Sequence, residues 1–121
     1  MLGYITFGTN NLAKSAAFYD AIAMELGAKR TMETEKFIAW GAPGSAMLFL
    51  IKPADGKAAS VGNGVMAALA AKDAATVDRI YKTAMSLGGK DEGPPGDRGG
   101  GFYAAYFRDL DGNKLNAFHH G

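Results

Sequence analysis

Two apolar, aromatic-rich runs near the end of the chain enclose the polar sequence Asp109-Leu110-Asp111-Gly112-Asn113. The first run covers residues 102–108 and the second covers residues 114–118. Asp-Gly between two such runs is a strong hairpin signal, because glycine readily adopts the positive φ of a tight turn and aspartate can bind its own backbone. The sequence therefore predicts two antiparallel strands that meet at this turn.

The chain before this hairpin contains the same order of elements twice. In the first half, an apolar strand over residues 2–8 leads to a helix over about 12–25. Residues 9–11 offer N-cap side chains for this helix, and Gly27 is expected to end it. Three further strands are predicted at residues 28–34, 35–41 and 46–52. A segment rich in Gly, Ala and Ser, residues 54–63, then favours a linker.

The second half begins with a strand over residues 64–71, followed by a helix from about Asp73 to Leu87 that Gly88-Gly89 ends. A polar loop rich in Gly and Pro is predicted over residues 90–101, before the hairpin. The repeat predicts one α+β domain, residues 1–121, with two βαβββ modules at about 1–53 and 64–120. Two such modules can stack their sheets into an open mixed β-barrel with flanking helices.

Composition narrows the possible classes of function. The formal net charge is +1 and there is no basic run, so nucleic acid is not expected as a partner. The absence of cysteine excludes disulfides and thiolate chemistry. We expect no membrane association, because no apolar stretch approaches membrane-spanning length. We expect a cytoplasmic protein, because the N-terminus lacks a signal pattern.

Three motifs occur in a characteristic order: Asn10-Asn11-Leu12-Ala13-Lys14-Ser15-Ala16-Ala17-Phe18-Tyr19, then Leu87-Gly88-Gly89, then the turn at residues 109–113. They resemble the opening helix, a later helix end and the closing turn of the vicinal oxygen chelate superfamily. This superfamily contains glyoxalase I, extradiol dioxygenases, and fosfomycin- and bleomycin-resistance proteins. The resemblance covers nearly the whole chain and implies the paired-module fold. Within the superfamily, the chain looks closest to small glyoxalase- and bleomycin-resistance-like proteins.

The resemblance also implies where a metal would be held. Metalloenzymes of the superfamily use a His or Glu on the first strand of each half and a Glu on the last strand, around a divalent ion that acts as a Lewis acid. The matching positions are Tyr4, Leu48 or Phe49 (the repeat favours Leu48), Met66 and Asn116. A neutral phenol, apolar side chains and an amide make a poor site for a divalent ion. We therefore expect neither a metal nor another cofactor.

A barrel without metal would still enclose a concave, aromatic-lined cavity, which is typical of small-molecule sites. The residues predicted to bind a ligand there are Tyr4, Trp40, Phe49, Met66, Arg98, Tyr103, Tyr106 and Asn116. The aromatic residues are equally compatible with an ordinary core. Asn116 interrupts an apolar run, and its amide could bind either a ligand or a neighbouring backbone group.

Two features near the cavity leave alternatives open. Residues 90–101 could form a lid, with Arg98 as an anion contact, or an ordinary surface loop. His119 and His120 are adjacent on the last strand and point to opposite faces, so at most one could enter the cavity.

Two classes of function follow. The first is a metal-independent binding protein for an aromatic or amphipathic small molecule, comparable to the bleomycin binders. The second is a superfamily lyase, isomerase or dioxygenase with a non-standard or metal-dependent site. Fold alone does not decide between them. In both cases exposed sheet edges predict a homodimer. The resemblance also implies a homodimer, in which the modules pair either within one chain or across the two chains.

Overall fold

Two modules of the same element order make up the structure, a computed structural model that describes residues 1–121. The first module contains β1 (Tyr4–Gly8), α1 (Leu12–Glu25), β2 (Lys29–Glu33), β3 (Phe37–Gly41) and β4 (Met47–Ile51). The second contains β5 (Ala67–Ala70), α2 (Ala74–Ser86), β6 (Lys90–Asp97), β7 (Phe102–Arg108) and β8 (Lys114–His120). The predicted βαβββ repeat and the α+β class are confirmed.

Each module forms one mixed four-stranded sheet, with the orders β1-β4-β3-β2 and β5-β8-β7-β6. The first strand of each module is parallel to the last, so that Thr6 lies opposite Phe49 and Ala68 opposite Asn116. The remaining pairs are antiparallel. The helix provides the crossover that a parallel pair requires.

The helices begin and end at residues with local signals. Asn11 caps α1 by accepting a hydrogen bond from the Lys14 amide, and Asp73 caps α2 by accepting one from Thr76. Gly27 follows α1 with a φ of +68°, a conformation that glycine adopts without strain. Neither helix has the length and apolar character needed to cross a membrane.

One prediction was wrong: residues 90–97 are not a loop but strand β6. This strand forms the edge of its sheet and pairs only with β7, with shifts of register between Asp91 and Gly93 and between Gly93 and Gly96. Pro94 and Pro95 have no N–H group, and an irregular edge strand tolerates them because it needs hydrogen bonds on one side only. Only residues 98–101 connect β6 to β7, so the long lid considered above does not exist.

The core lies between the two sheets, and the helices fill it. α1 packs on its own sheet, α2 packs on the other, and the two helices contact each other. The rings of Phe18 on α1 and Phe107 on β7, 6.5 Å apart, join the two halves of the core. The two sheets therefore do not close into a barrel within one chain, which corrects the expected open barrel. The face of each sheet that points away from the helices is called its outer face below.

Candidate functional site

The first outer face, on the sheet of β1 to β4, carries a cluster of aromatic rings. The rings of Tyr4 and Phe49 lie 4.6 Å apart, and those of Phe37 and Phe49 lie 5.4 Å apart. Leu48 points the other way and packs against the core between the sheets. Phe49, rather than the Leu48 favoured by the repeat, therefore shares a face with Tyr4.

The second outer face, on the sheet of β5 to β8, combines aromatic rings with polar groups. Tyr106 on β7 lies opposite Asn116 on β8. The guanidinium carbon of Arg98 is 5.5 Å from the centre of the Tyr106 ring, and the ammonium of Lys114 is 5.6 Å from it. Further along the sheet, the rings of Phe102 and Phe118 stack at 5.4 Å.

Glycines in β6 make room for Arg98. A Cβ at Gly93 would lie 3.3 Å from Nη2 of Arg98 and 3.3 Å from the Tyr106 ring, and one at Gly96 would lie 3.7 Å from Nη1. A Cβ at position 93 would therefore require the guanidinium and the ring to shift by a few tenths of an ångström. Arg98 donates a hydrogen bond to the Pro94 carbonyl and forms no ion pair.

Asn116 is the residue of this face whose hydrogen bonding is incomplete. Its side chain is 2% exposed, and Oδ1 is the one buried side-chain polar atom in the structure without a partner. A buried polar atom without a hydrogen bond is costly, typically by about 1–3 kcal/mol. No neighbouring backbone group binds this oxygen, so its capacity to accept a hydrogen bond is unused within a single chain.

Two of the predicted ligand-binding residues lie on the other side of their sheets. Trp40 is buried against α1 and donates a hydrogen bond of 2.8 Å to Asp20. Tyr103 donates a hydrogen bond of 2.6 Å to Asp78 on α2, and this bond, more than burial, raises the pKa of the tyrosine. Neither residue shares a face with Tyr106 and Asn116.

Met66 and His120 lie at the margins of the second outer face, whereas His119 points to the helix side. Met66 is exposed and, with Arg108 and Lys114, lines a depression of about 520 Å³ beside residues 61–66. His119 contacts the Ala71 carbonyl through Nδ1, whereas the ring of His120 lies against Phe102. The two histidines therefore point to opposite faces, as alternation along a strand requires.

The residues present do not fit a divalent metal ion. The side chains at the expected ligand positions are Tyr4, Phe49, Met66 and Asn116, which supply no carboxylate and no imidazole. Nowhere in the structure do three or more His, Cys, Asp or Glu side chains converge in a way that could hold a metal.

A second concavity, of about 330 Å³, lies between the modules on the helix side. It is mostly apolar and is bordered by α1, β5 and the ends of β3 and β4. Tyr19 and Trp40 border it, but the hydroxyl of the first and the N–H of the second are already bound to Asp109 and Asp20. This concavity therefore has few free polar groups to orient a ligand.

Sequence reasoning missed a buried polar network around Asp109, whose side chain is 3% exposed. Oδ2 of Asp109 accepts hydrogen bonds from the Tyr19 hydroxyl at 2.6 Å and from Nδ2 of Asn113 at 2.9 Å. Oδ1 accepts from the amides of Asp111 and Asn113, both at 2.9 Å. Burial raises the pKa of Tyr19 well above its usual value, and the negative charge of Asp109 and the hydrogen bond to it raise it further.

The network continues into the first module. Asp111 accepts hydrogen bonds of 2.8 Å from the Asn10 amide and from the Ser15 hydroxyl. Asn113 donates to the Gly8 carbonyl at 3.0 Å. These contacts, together with those of Asp109, form what is called the module-joining network below. The spacing of the motifs indicated a turn and a helix, but nothing in it indicated that they bind each other.

Comparison with known proteins places the chain in a family. The sequence profile of the Glyoxalase/Bleomycin resistance protein/Dioxygenase superfamily matches residues 1–117. No curated protein matches the chain.

Solved structures of similar proteins share the fold. A glyoxalase/bleomycin resistance protein from Albidiferax ferrireducens T118 is 32% identical, with a TM-score of 0.93 over 100% of this chain and 99% of that one. A hypothetical protein from Staphylococcus aureus is 26% identical, with a TM-score of 0.77 over 98% and 92% of the two chains. A lactoylglutathione lyase from Agrobacterium tumefaciens is 22% identical, with a TM-score of 0.72 over 98% and 92%, and shows a similar fold only.

Proposed function

The chain belongs to the glyoxalase/bleomycin resistance protein/dioxygenase superfamily, and from this premise we propose that it binds an aromatic or amphipathic small molecule without a metal. The proposed site lies between the first outer face of one copy and the second outer face of another. The observation that carries the proposal is the Oδ1 atom of Asn116, which is buried and unpartnered on a face that also carries aromatic rings.

A homodimer supports this site, because one chain leaves both outer faces without a cover. The edge strands β1 and β5 are accompanied by exposed apolar side chains, namely Leu2, Tyr4, Val65 and Met66. Exposed apolar edges are usually covered by pairing with another strand or chain. A second copy that places its first outer face over the second outer face of its partner would cover both and enclose a cavity between them.

The alternative function, a superfamily lyase or dioxygenase, receives less support from the side chains. The metal chemistry that such enzymes use needs imidazole or carboxylate ligands. The matching positions carry a phenol, a phenyl ring, a thioether and an amide.

Calorimetric titration and light scattering on Phe49→Ser test the proposal. Phe49 is central to the aromatic cluster of the first outer face, so its loss should weaken both dimerisation and the binding of a neutral aromatic probe such as phenylpropanol. Met24→Ser is the matched control, because Met24 is 79% exposed on α1, away from both outer faces. A wild-type chain that stays monomeric and binds no aromatic probe at millimolar concentration would contradict the proposal.

A further inference from the structure

We infer that the ligand is an aromatic hydroxycarboxylate, an organic anion with a hydrogen-bond donor next to its negative charge. This inference rests on the proposed function, since it specifies what the second outer face recognises. It depends on three features of that face: two unpaired cations, one unpaired acceptor and a set of aromatic rings.

The charge of the second outer face is positive and largely uncompensated. Arg98 and Lys114 lie against Tyr106 and form no ion pair. Arg108 differs, because Glu92 neutralises it at 2.6 Å. Charge-assisted hydrogen bonds to a carboxylate are roughly twice as strong as neutral ones, so the two free cations favour an anionic ligand.

The carboxylates of β6 do not cancel this charge. Asp91 lies opposite Phe107 in the sheet, and its side chain accepts a hydrogen bond from Tyr81 on α2. Asp97 lies opposite Tyr103, whose hydroxyl also binds α2, and accepts a hydrogen bond from the Gly99 amide. Both positions therefore belong to the helix-facing side of the sheet.

The contacts of both cations with Tyr106, and the hydrogen bond from Arg98 to the Pro94 carbonyl, hold the side chains in place without neutralising their charge. A cation over an aromatic ring at an exposed site is held only weakly. A charge-assisted hydrogen bond to a carboxylate is a stronger interaction. A carboxylate near Tyr106 can therefore compete for both side chains.

Asn116 adds a requirement that a simple anion does not meet. Oδ1 is a hydrogen-bond acceptor, so the ligand must supply an O–H or N–H group. Asn116 is two residues from Lys114 on the same face of β8, a separation of about 7 Å between Cα atoms, and the lysine side chain is long enough to shorten it. The donor and the carboxylate therefore belong close together on the ligand, and an α-hydroxycarboxylate, which carries them on neighbouring carbons, meets this requirement.

The rest of the ligand meets aromatic rings. Phe102 and Phe118 stack on the same face. In the proposed dimer, the cluster of Tyr4, Phe37 and Phe49 from the second copy lies across the cavity. Aromatic side chains favour an aromatic body on the ligand.

Isothermal titration of the full chain with four related probes tests the inference. Phenyllactate has both the hydroxyl and the carboxylate, phenylpropanoate lacks the hydroxyl, methyl phenyllactate lacks the charge, and phenylpropanol lacks the carboxylate altogether. Phenyllactate should bind about tenfold or more tightly than each of the others, and its affinity should fall as salt is added.

Variants of the site residues identify the groups responsible. Arg98→Gln and Lys114→Gln should each weaken phenyllactate binding about tenfold and leave methyl phenyllactate unaffected. Asn116→Leu should remove the preference for phenyllactate over phenylpropanoate. Lys82→Gln is the matched control, because Lys82 is an exposed lysine on α2 and its loss changes the net charge equally. Circular-dichroism melts check that each variant is folded.

The outcomes separate this inference from the function on which it rests. If phenylpropanol and methyl phenyllactate bind as tightly as phenyllactate, the site is aromatic-specific and the hydroxycarboxylate assignment is wrong. If Lys82→Gln weakens phenyllactate as much as Lys114→Gln does, the preference is a general charge effect and the assignment is also wrong. If none of the four probes binds at millimolar concentration, both the inference and the proposed function fail.

Discussion

Replacing Tyr19 with phenylalanine removes one hydroxyl from the centre of the module-joining network. That hydroxyl donates a hydrogen bond of 2.6 Å to the buried carboxylate of Asp109. Hydrogen bonds to charged groups typically contribute about 1.5–3 kcal/mol, so Tyr19→Phe should lower the free energy of unfolding by about this amount at neutral pH. Asn113 still donates to the same oxygen, so the carboxylate is not left without a partner.

The pH dependence of stability gives a more specific test of the same contact. Burial, together with the charge of Asp109, raises the pKa of Tyr19 well above its usual value, whereas tyrosine in the unfolded chain ionises near pH 10. Between these two values the native state keeps a proton that the unfolded state has lost. The free energy of unfolding therefore falls by about 1.4 kcal/mol per pH unit from about pH 10 upwards, and the stabilising contribution is complete only below that pH. Tyr19→Phe should lack this part of the slope. The difference in free energy of unfolding between the wild type and this variant should therefore shrink as the pH rises above about 10.

Urea denaturation at neutral pH and at steps above about pH 10 measures both effects. Tyr103→Phe is the matched control, because its hydroxyl donates to Asp78 at the same 2.6 Å but at an exposed site, where solvent screens the pair. Tyr103→Phe should therefore cost less stability than Tyr19→Phe. Equal losses in the two variants, or equal alkaline slopes in Tyr19→Phe and wild type, would refute the view that the buried contact joins the modules.

Three further predictions follow from the outer faces and the network. Asn116→Leu should lower the free energy of unfolding by on the order of 1 kcal/mol or less, because Oδ1 has no partner to lose. Asn113→Leu should lower it more, because the Asn113 amide binds Gly8 and Asp109, and thermal melts compare the two variants. Elemental analysis after dialysis should find no stoichiometric divalent metal, and about one Zn, Ni, Fe or Mn per chain would contradict the reading of the ligand positions. Light scattering should give the mass of a homodimer, and a monomer at high micromolar concentration would count against the composite site.

The elements that could be predicted from sequence are those whose signals are local. The caps at Asn11 and Asp73, the glycine that follows α1 and the Asp-Gly turn each act within a few residues, and all were found where expected. Strand β6 was missed because its Pro and Gly residues carry a loop signal, and only its position at the sheet edge makes them acceptable. That position is decided by pairing with β7 and is not visible in the segment itself.

Which way a strand residue faces was harder to predict. Side chains alternate along a strand, so an error of one residue moves a candidate to the opposite face, as for Leu48 and Phe49. Trp40 and Tyr103 fit the pattern of cavity-lining aromatic residues, yet both bind aspartates on the helices, 20 and 25 positions away in sequence. The sequence pattern does not show which carboxylate the polar group of an aromatic side chain will meet.

The residues that identify the family are largely not the residues proposed to bind the ligand. Ser15 and Tyr19 belong to the opening-helix motif, and Asp109, Asp111 and Asn113 belong to the closing-turn motif. The structure brings these five side chains together in the module-joining network, where they hold the two halves of the chain in register. Nearly all of their polar atoms bind one another or the backbone, which leaves few groups for chemistry.

A motif of this kind specifies how two modules join and puts little constraint on the outer faces. The side chains of the outer faces can therefore vary while the fold and its signature persist. For this chain, membership of the superfamily accounts for the architecture. The proposed choice of ligand depends instead on side chains outside the module-joining network: Arg98, Tyr106 and Lys114, with Asn116 beside them. Exchanging those residues between members of the superfamily should transfer ligand preference, whereas exchanging residues of the module-joining network should change stability alone.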